Sequence, residues 1–186
     1  MINGKFLGFF LLLLLIGIFF VQRNTTLQGR LQEWGIRMDL PGFQMTNFST
    51  EKTKAVQEEN LEARKGEVIV RLTKSTVENN KKLIDDRVYL LESLFVPTTS
   101  PYPEVLSNNI TCPEEFRPRE EKVENGSVFT LFAGERFNFG ICSQDLVKYK
   151  AVYGIFDCGD KGVFEVKLFG QNLSEMKTTA ASFSCE

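Results

Sequence analysis

The side chains best suited to covalent chemistry in this chain are its four cysteines, Cys112, Cys142, Cys158 and Cys185. No two of them are spaced as C-x-x-C, so the pattern supports neither a thioredoxin-type redox pair nor a zinc ribbon, and they read as two structural disulfides. The chain contains no histidine. That removes Ser-His-Asp and Cys-His catalysis, His-ligated zinc, and the side chain that ordinarily titrates near neutrality. The two carboxylates of Asp157-Cys158-Gly159-Asp160 flank a turn, but calcium wants about six to eight oxygens and EF-hand spacing is missing. Glycine-rich phosphate loops are absent. Carboxylates alone could perform acid–base work, yet no pair stands out. No catalytic, cofactor-binding or metal-ligating residue is nominated, no cofactor is expected, and the chain is expected to be non-catalytic.

Five N-x-S/T sequons mark candidate N-glycosylation sites at Asn24, Asn47, Asn109, Asn125 and Asn172. Such sites are modified only on the lumenal or outer side of a membrane. Paired cysteines need an oxidising compartment as well. Of the three connectivities open to four cysteines, a meander favours Cys158 with Cys185, because it brings the end of one strand and the end of the last to a common edge. That leaves Cys112 with Cys142.

The 186 residues include 22 Lys plus Arg and 24 Asp plus Glu, a formal net charge of −2. A nucleic-acid binder needs a basic surface to displace counterions, so no nucleic acid is expected as partner. After a short tail, residues 1–5, comes an uncharged apolar run, residues 6–21, FLGFFLLLLLIGIFFV. As a helix it is roughly 24 Å long, short of the ~30 Å hydrocarbon core, although the Lys5 stem and Met1-Ile2 extend it. No small-residue cleavage site follows, so it reads as an uncleaved transmembrane signal anchor in contact with the bilayer rather than a cleaved signal peptide. Arg23, Arg30 and Arg37 would favour a cytoplasmic C-terminal side by charge count. The sequons and cysteines argue the reverse, and the expectation is a single-pass cell-membrane protein with its C-terminal domain on the extracytoplasmic side.

The remaining elements must position these groups. Residues 22–48 read as a juxtamembrane helical segment with Leu27, Leu31, Trp34 and Met38 on one face. Residues 49–95 read as an amphipathic helical stalk, with a seven-residue recurrence of Val56, Ala63, Val70, Val77, Ile84 and Leu91. The usual second seam is polar at Asn60, Glu67, Lys74 and Lys81, so packing against a partner helix or a second copy is expected rather than a strict coiled coil. Gly66 could break that helix, and residues 66–72 could instead be a β-branched strand. Residues 96–110 form a Pro-rich linker. In residues 111–186 the period changes. Segments 127–133, 135–142, 148–158, 162–169 and 179–185 are short, aromatic and alternating, as strands are. The mixed charges between Glu114 and Glu124 read as a solvated loop.

The expected fold class is therefore α+β: an N-terminal transmembrane helix, a long amphipathic helical stalk, and a small disulfide-stapled antiparallel all-β C-terminal domain of sandwich-like build. In layout the chain resembles type II membrane lectins, with Cys112-Pro113-Glu114-Glu115-Phe116 opening the last domain and Phe183-Ser184-Cys185-Glu186 closing it. Trp34, the single Trp, lies outside that domain, and no sugar site is transferred. An apolar helix leading into a β-rich region also resembles pilin-like subunits. The expected function is a membrane-anchored extracytoplasmic binding or structural protein; the alternative is a subunit of a pilin-like or envelope assembly packing through its N-terminal helix.

Overall fold

The computed structural model describes residues 26–53, 56–95 and 112–186. Thr26 opens helix α1 (Leu27–Trp34), its Oγ1 accepting the Gly29 N–H at 3.1 Å, and Gly35 closes it at φ 66°. The chain continues through β1 (Ile36–Arg37), β2 (Gln44–Lys52), β3 (Gln57–Lys65), β4 (Val68–Thr76) and α2 (Asn80–Ser93). Then come β5 (Arg119–Val123), β6 (Gly126–Ala133), β7 (Tyr149–Asp157), β8 (Val163–Gly170), α3 (Leu173–Ala181) and β9 (Ser184–Cys185).

Seven strands form one antiparallel sheet in the order β2-β3-β4-β8-β7-β6-β5, and β1 pairs with β9 beside it. On one face of the sheet Leu31 and Trp34 of α1, Met38 just after β1, and Met176 and Ala180 of α3 are buried with Leu61, Leu72, Val152, Phe164 and Val166. The other face carries a second core, in which Leu91 and Phe95 meet Phe129, Tyr153, Ile155 and Phe169.

The expected stalk is overturned. Residues 49–95 are not one helix but the end of β2, all of β3 and β4, and then α2. The reason lies at Gly66, whose φ of 57° places it in the left-handed region that glycine enters without steric cost. The chain reverses there, and Ala63 faces Val70 while Leu61 faces Leu72. The seven-residue spacing of Ala63 and Val70 is thus the signature of two hairpin partners, not of two turns of one helix. Residues 22–48 are corrected too: within the described part the helix ends at Trp34, and β2 has begun by Gln44.

Nor is the β-rich part a separate small sandwich. Strand β4, which precedes the Pro-rich stretch, pairs with β8, which follows it, from Ile69 opposite Phe169 to Ser75 opposite Val163. Both sides of that stretch share one seven-stranded sheet, with α1 and α3 on one face and α2 on the other. The segment 135–142 holds no strand; Phe137 sits at φ 58° and Gly140 at φ 85°, which interrupts any pleat. Segment 179–185 is the end of α3 followed by β9, and Arg119–Val123 is an edge strand rather than a loop. The apolar run 6–21, expected to span the bilayer, lies outside the described residues. Among the described residues no helix is long and apolar enough to cross a membrane.

Candidate functional site

Side chains alternate across a strand, so β3 points Glu59, Leu61 and Ala63 toward α1 and sends Glu58, Asn60 and Glu62 to the opposite face. On that face the register sets Glu62 opposite Arg71, Arg71 opposite Lys167, and Lys167 opposite Tyr153. A charged row therefore crosses three strands in the middle of the sheet. Arg71 Nε donates to Glu62 Oε2 at 2.9 Å and Arg64 Nε to Oε1 at 3.0 Å. Partial burial opposes ionisation of Glu62, but these two guanidinium bonds outweigh it and hold the carboxyl below its ordinary range.

Two residues from Lys167 on β8, Glu165 is buried at 4% exposure. The Tyr153 hydroxyl donates to its Oε2 at 2.9 Å, and Lys167 Nζ lies 3.4 Å from the same oxygen. Arg87 reaches in from α2, its Nε 3.1 Å from Glu165 Oε1 without hydrogen-bond alignment, while its Nη2 donates to Glu58 at 3.0 Å. Burial first, and the Glu165 carboxylate second, push the Tyr153 phenol well above its ordinary value. A buried carboxylate is tolerated only when its oxygens are occupied, and here a phenol and two cations share that task.

The loop 134–142 stands over this row. Its turn is closed by Phe137 N–H donating to the Gly134 carbonyl at 3.0 Å. A bulky residue at positive φ is costly, and Phe137 is held there by stacking on Tyr149, with centroids 4.8 Å apart, and by the Arg71 guanidinium 4.6 Å above its ring. The disulfide Cys112–Cys142, with Cα atoms 5.0 Å apart, ties the end of the loop down. Between loop and sheet lies a cavity of about 470 Å³, floored by Asn60, Glu62, Arg71, Thr73 and Lys167 and walled by Phe137 and Phe139. This is within the range of small-molecule sites. A second cavity of about 230 Å³ adjoins it under α2, where Leu90, Leu91 and Leu94 face Phe139 and Lys167. Phe139 and Lys167 belong to both.

No family model, curated protein or solved structure matches the chain. The groove must therefore be read from its own geometry.

The residues singled out from sequence lie elsewhere. Cys158 is bonded to Cys185, Cα atoms 5.5 Å apart, and this pair with Cys112–Cys142 is the connectivity favoured above. Asn47 is exposed on β2 and edges the larger cavity. Asn125 is exposed in the β5–β6 turn at φ 61°, and Asn172 is exposed as the N-cap of α3, its Oδ1 accepting the Glu175 N–H at 3.2 Å. Asn24 and Asn109 lie outside the described residues. Asp157 is a turn residue: its Oδ1 accepts from Asn80 Nδ2 at 2.8 Å and from Gly159 N at 3.0 Å. Among the described residues no cluster of acidic side chains and cysteines could hold a metal.

Sequence reasoning missed Glu62, Arg71, Arg87, Glu165 and Lys167. The readable signal was the alternation of Glu58, Asn60, Glu62 and Arg64 with apolar Leu61 and Ala63. The helical reading of residues 49–95 dispersed those charges around a rod.

Proposed function

We propose that this protein is an extracytoplasmic, non-catalytic binding protein, tethered to a membrane by the apolar run 6–21, that takes its ligand in the groove between loop 134–142 and strands β3, β4 and β8. One observation carries the location: two disulfides, Cys112–Cys142 and Cys158–Cys185, which persist in oxidising compartments and not in the cytosol. The exposed sequon residues Asn47, Asn125 and Asn172 agree with it. Binding, rather than turnover, suits a floor whose ionised groups are committed to one another as Glu62–Arg71 and Glu165–Arg87–Lys167.

The partner surface expected on the 49–95 stalk needs reassignment, because Ala63, Val70 and Leu91 of its stripe are buried in the chain's own cores. The groove takes its place. The test is protease protection of intact cells and sealed vesicles carrying the full chain, with mass mapping of the cysteines under nonreducing conditions. External protease should cleave the folded part, and both disulfides should be recovered. A protected domain with four alkylatable thiols ends the proposal.

A further inference from the structure

Arg71 and Lys167 are opposite one another on neighbouring antiparallel strands. Like charges in that relation repel. Arg71 is paired across the strands with Glu62 and Lys167 along its own strand with Glu165, and Arg71, Lys167 and Glu62 all line the larger cavity. An anion placed there would meet two fixed positive charges at once, in a site partly screened from water by Phe137 and Phe139.

The neighbouring cavity has a different character. Its ionic groups, Arg87, Glu165 and Lys167, are grouped with one another and with the Tyr153 hydroxyl, and beside Ser93 the rest of the lining is an apolar strip of Leu90, Leu91, Leu94 and Phe139. Leu90 and Leu94 are 54% and 51% exposed, which is unusual for large aliphatic side chains set beside a cavity. The strip starts where the cation pair ends, because Lys167 and Phe139 line both spaces. A head that needs two cations and a body that needs an apolar trough, joined end to end, describe one molecule.

We infer that the groove binds a single-chain amphiphile with an anionic head. The head lies between Arg71 and Lys167, and the chain runs past Phe139 to Leu90 and Leu94. This rests on the binding role proposed above and gives it a ligand class. A fatty carboxylate and a lysophospholipid phosphate share the required chemistry.

The test uses the full chain in phosphatidylcholine vesicles and a lauric-acid analogue with a terminal diazirine, photolysed and mapped by mass spectrometry. Labelling is expected at residues around Phe139 and Leu94. Excess laurate or excess lysophosphatidate should compete it, and whichever competes better identifies the head. Arg71→Met and Lys167→Met should each weaken labelling about tenfold, the loss of one charge-assisted contact. Recovery of both disulfides in each variant shows that it has folded, and Leu94→Asp, at an exposed position, offers an independent loss of the chain seat. Equal groove labelling by an alkylammonium diazirine of the same length overturns the anionic head. Labelling confined to residues 6–21 overturns the site. Protease protection remains a separate readout, so an exposed, disulfide-bonded domain that takes up no probe would refute the ligand class and leave the location intact.

Discussion

Tyr153 on β7 donates its phenolic hydrogen bond to the carboxylate of Glu165 on β8, 2.9 Å away, at a point where both side chains are buried. The pair anchors the end of the charged row, and its loss should be measurable. Tyr153→Phe keeps the ring and removes the donor, so it should cost about 1–2 kcal/mol in urea unfolding. Glu165→Gln removes the partner of Arg87 and Lys167 as well and should cost more. The double variant should fall short of the sum, since the two share one interaction. Strict additivity would mean that the bond contributes nothing.

The same row fixes how stability depends on pH. Glu62 has its folded pKa lowered from an ordinary value near 4.5. The unfolded chain therefore takes up the proton first as pH falls. The stabilisation is full above about pH 4.5 and is lost as pH drops through the lower folded value. Glu62→Gln should flatten that acid limb of the urea midpoint. For Tyr153 the sign is the opposite. Its folded pKa is raised from about 10, so its contribution is complete below about pH 10 and is lost above it, where only the unfolded phenol ionises. Ultraviolet titration should show its tyrosinate signal appearing only with unfolding, and Tyr153→Phe should lack that step.

Trp34 offers a probe of the opposite face. It is 2% exposed, its Nε1–H donates to Glu59 Oε2 at 2.6 Å, and it packs on Phe48 and Phe164. As the single Trp of the chain, it should emit at short wavelength and shift to the red on unfolding. Trp34→Ala should cost about 3–5 kcal/mol. A native emission already resembling free indole would contradict the burial of α1.

How much of this was open to inspection in the amino-acid order depends on where the governing contact lies. Strands β6, β7 and β8 were legible because their apolar residues alternate locally: Tyr149, Ala151, Tyr153 and Ile155 do line one face. Strand β3 was not, since Gln57–Lys65 is rich in Glu, Asn, Lys and Arg, and it becomes a strand by pairing with β2 and β4 rather than by propensity. Strand 135–142 failed for the reverse reason. Phe137, Phe139 and Ile141 alternate as a strand would, but among the described residues no strand pairs with them; Phe137 and Phe139 pack on the second core from a loop, in which Ile141 is also buried. The groove was illegible as a whole, because Arg71 and Lys167 become neighbours only through the pairing of β4 with β8.

The disulfide Cys158–Cys185 encloses a separation of 27 residues. In the loop-entropy account a closure of that size stabilises by about 3.5 kcal/mol. It ties β9, which pairs with β1, to the turn that follows β7. Replacing both cysteines with Ser should lower the melting temperature and raise hydrogen exchange at Ile36 and Arg37 more than in β7 or β8. Uniform loss of protection would show that the bond stabilises the whole sheet without anchoring that corner.

Asn125 tests the turn between β5 and β6. Asparagine tolerates φ 61° better than other non-glycine residues do. Asn125→Gly should leave the melting temperature nearly unchanged, while Asn125→Val should destabilise by about 1–2 kcal/mol.

The pairing of β4 with β8 also sets an order of events at the ribosome. The hairpin of β3 and β4 leaves the ribosome well before β8, the strand that completes its inner edge. Until then a row of peptide groups waits unpaired beside Ile69 and Val70, in a chain whose distant contacts make closure slow. Nascent molecules of this protein therefore pass through an interval of stickiness, and truncation between β4 and β8 leaves them in it permanently.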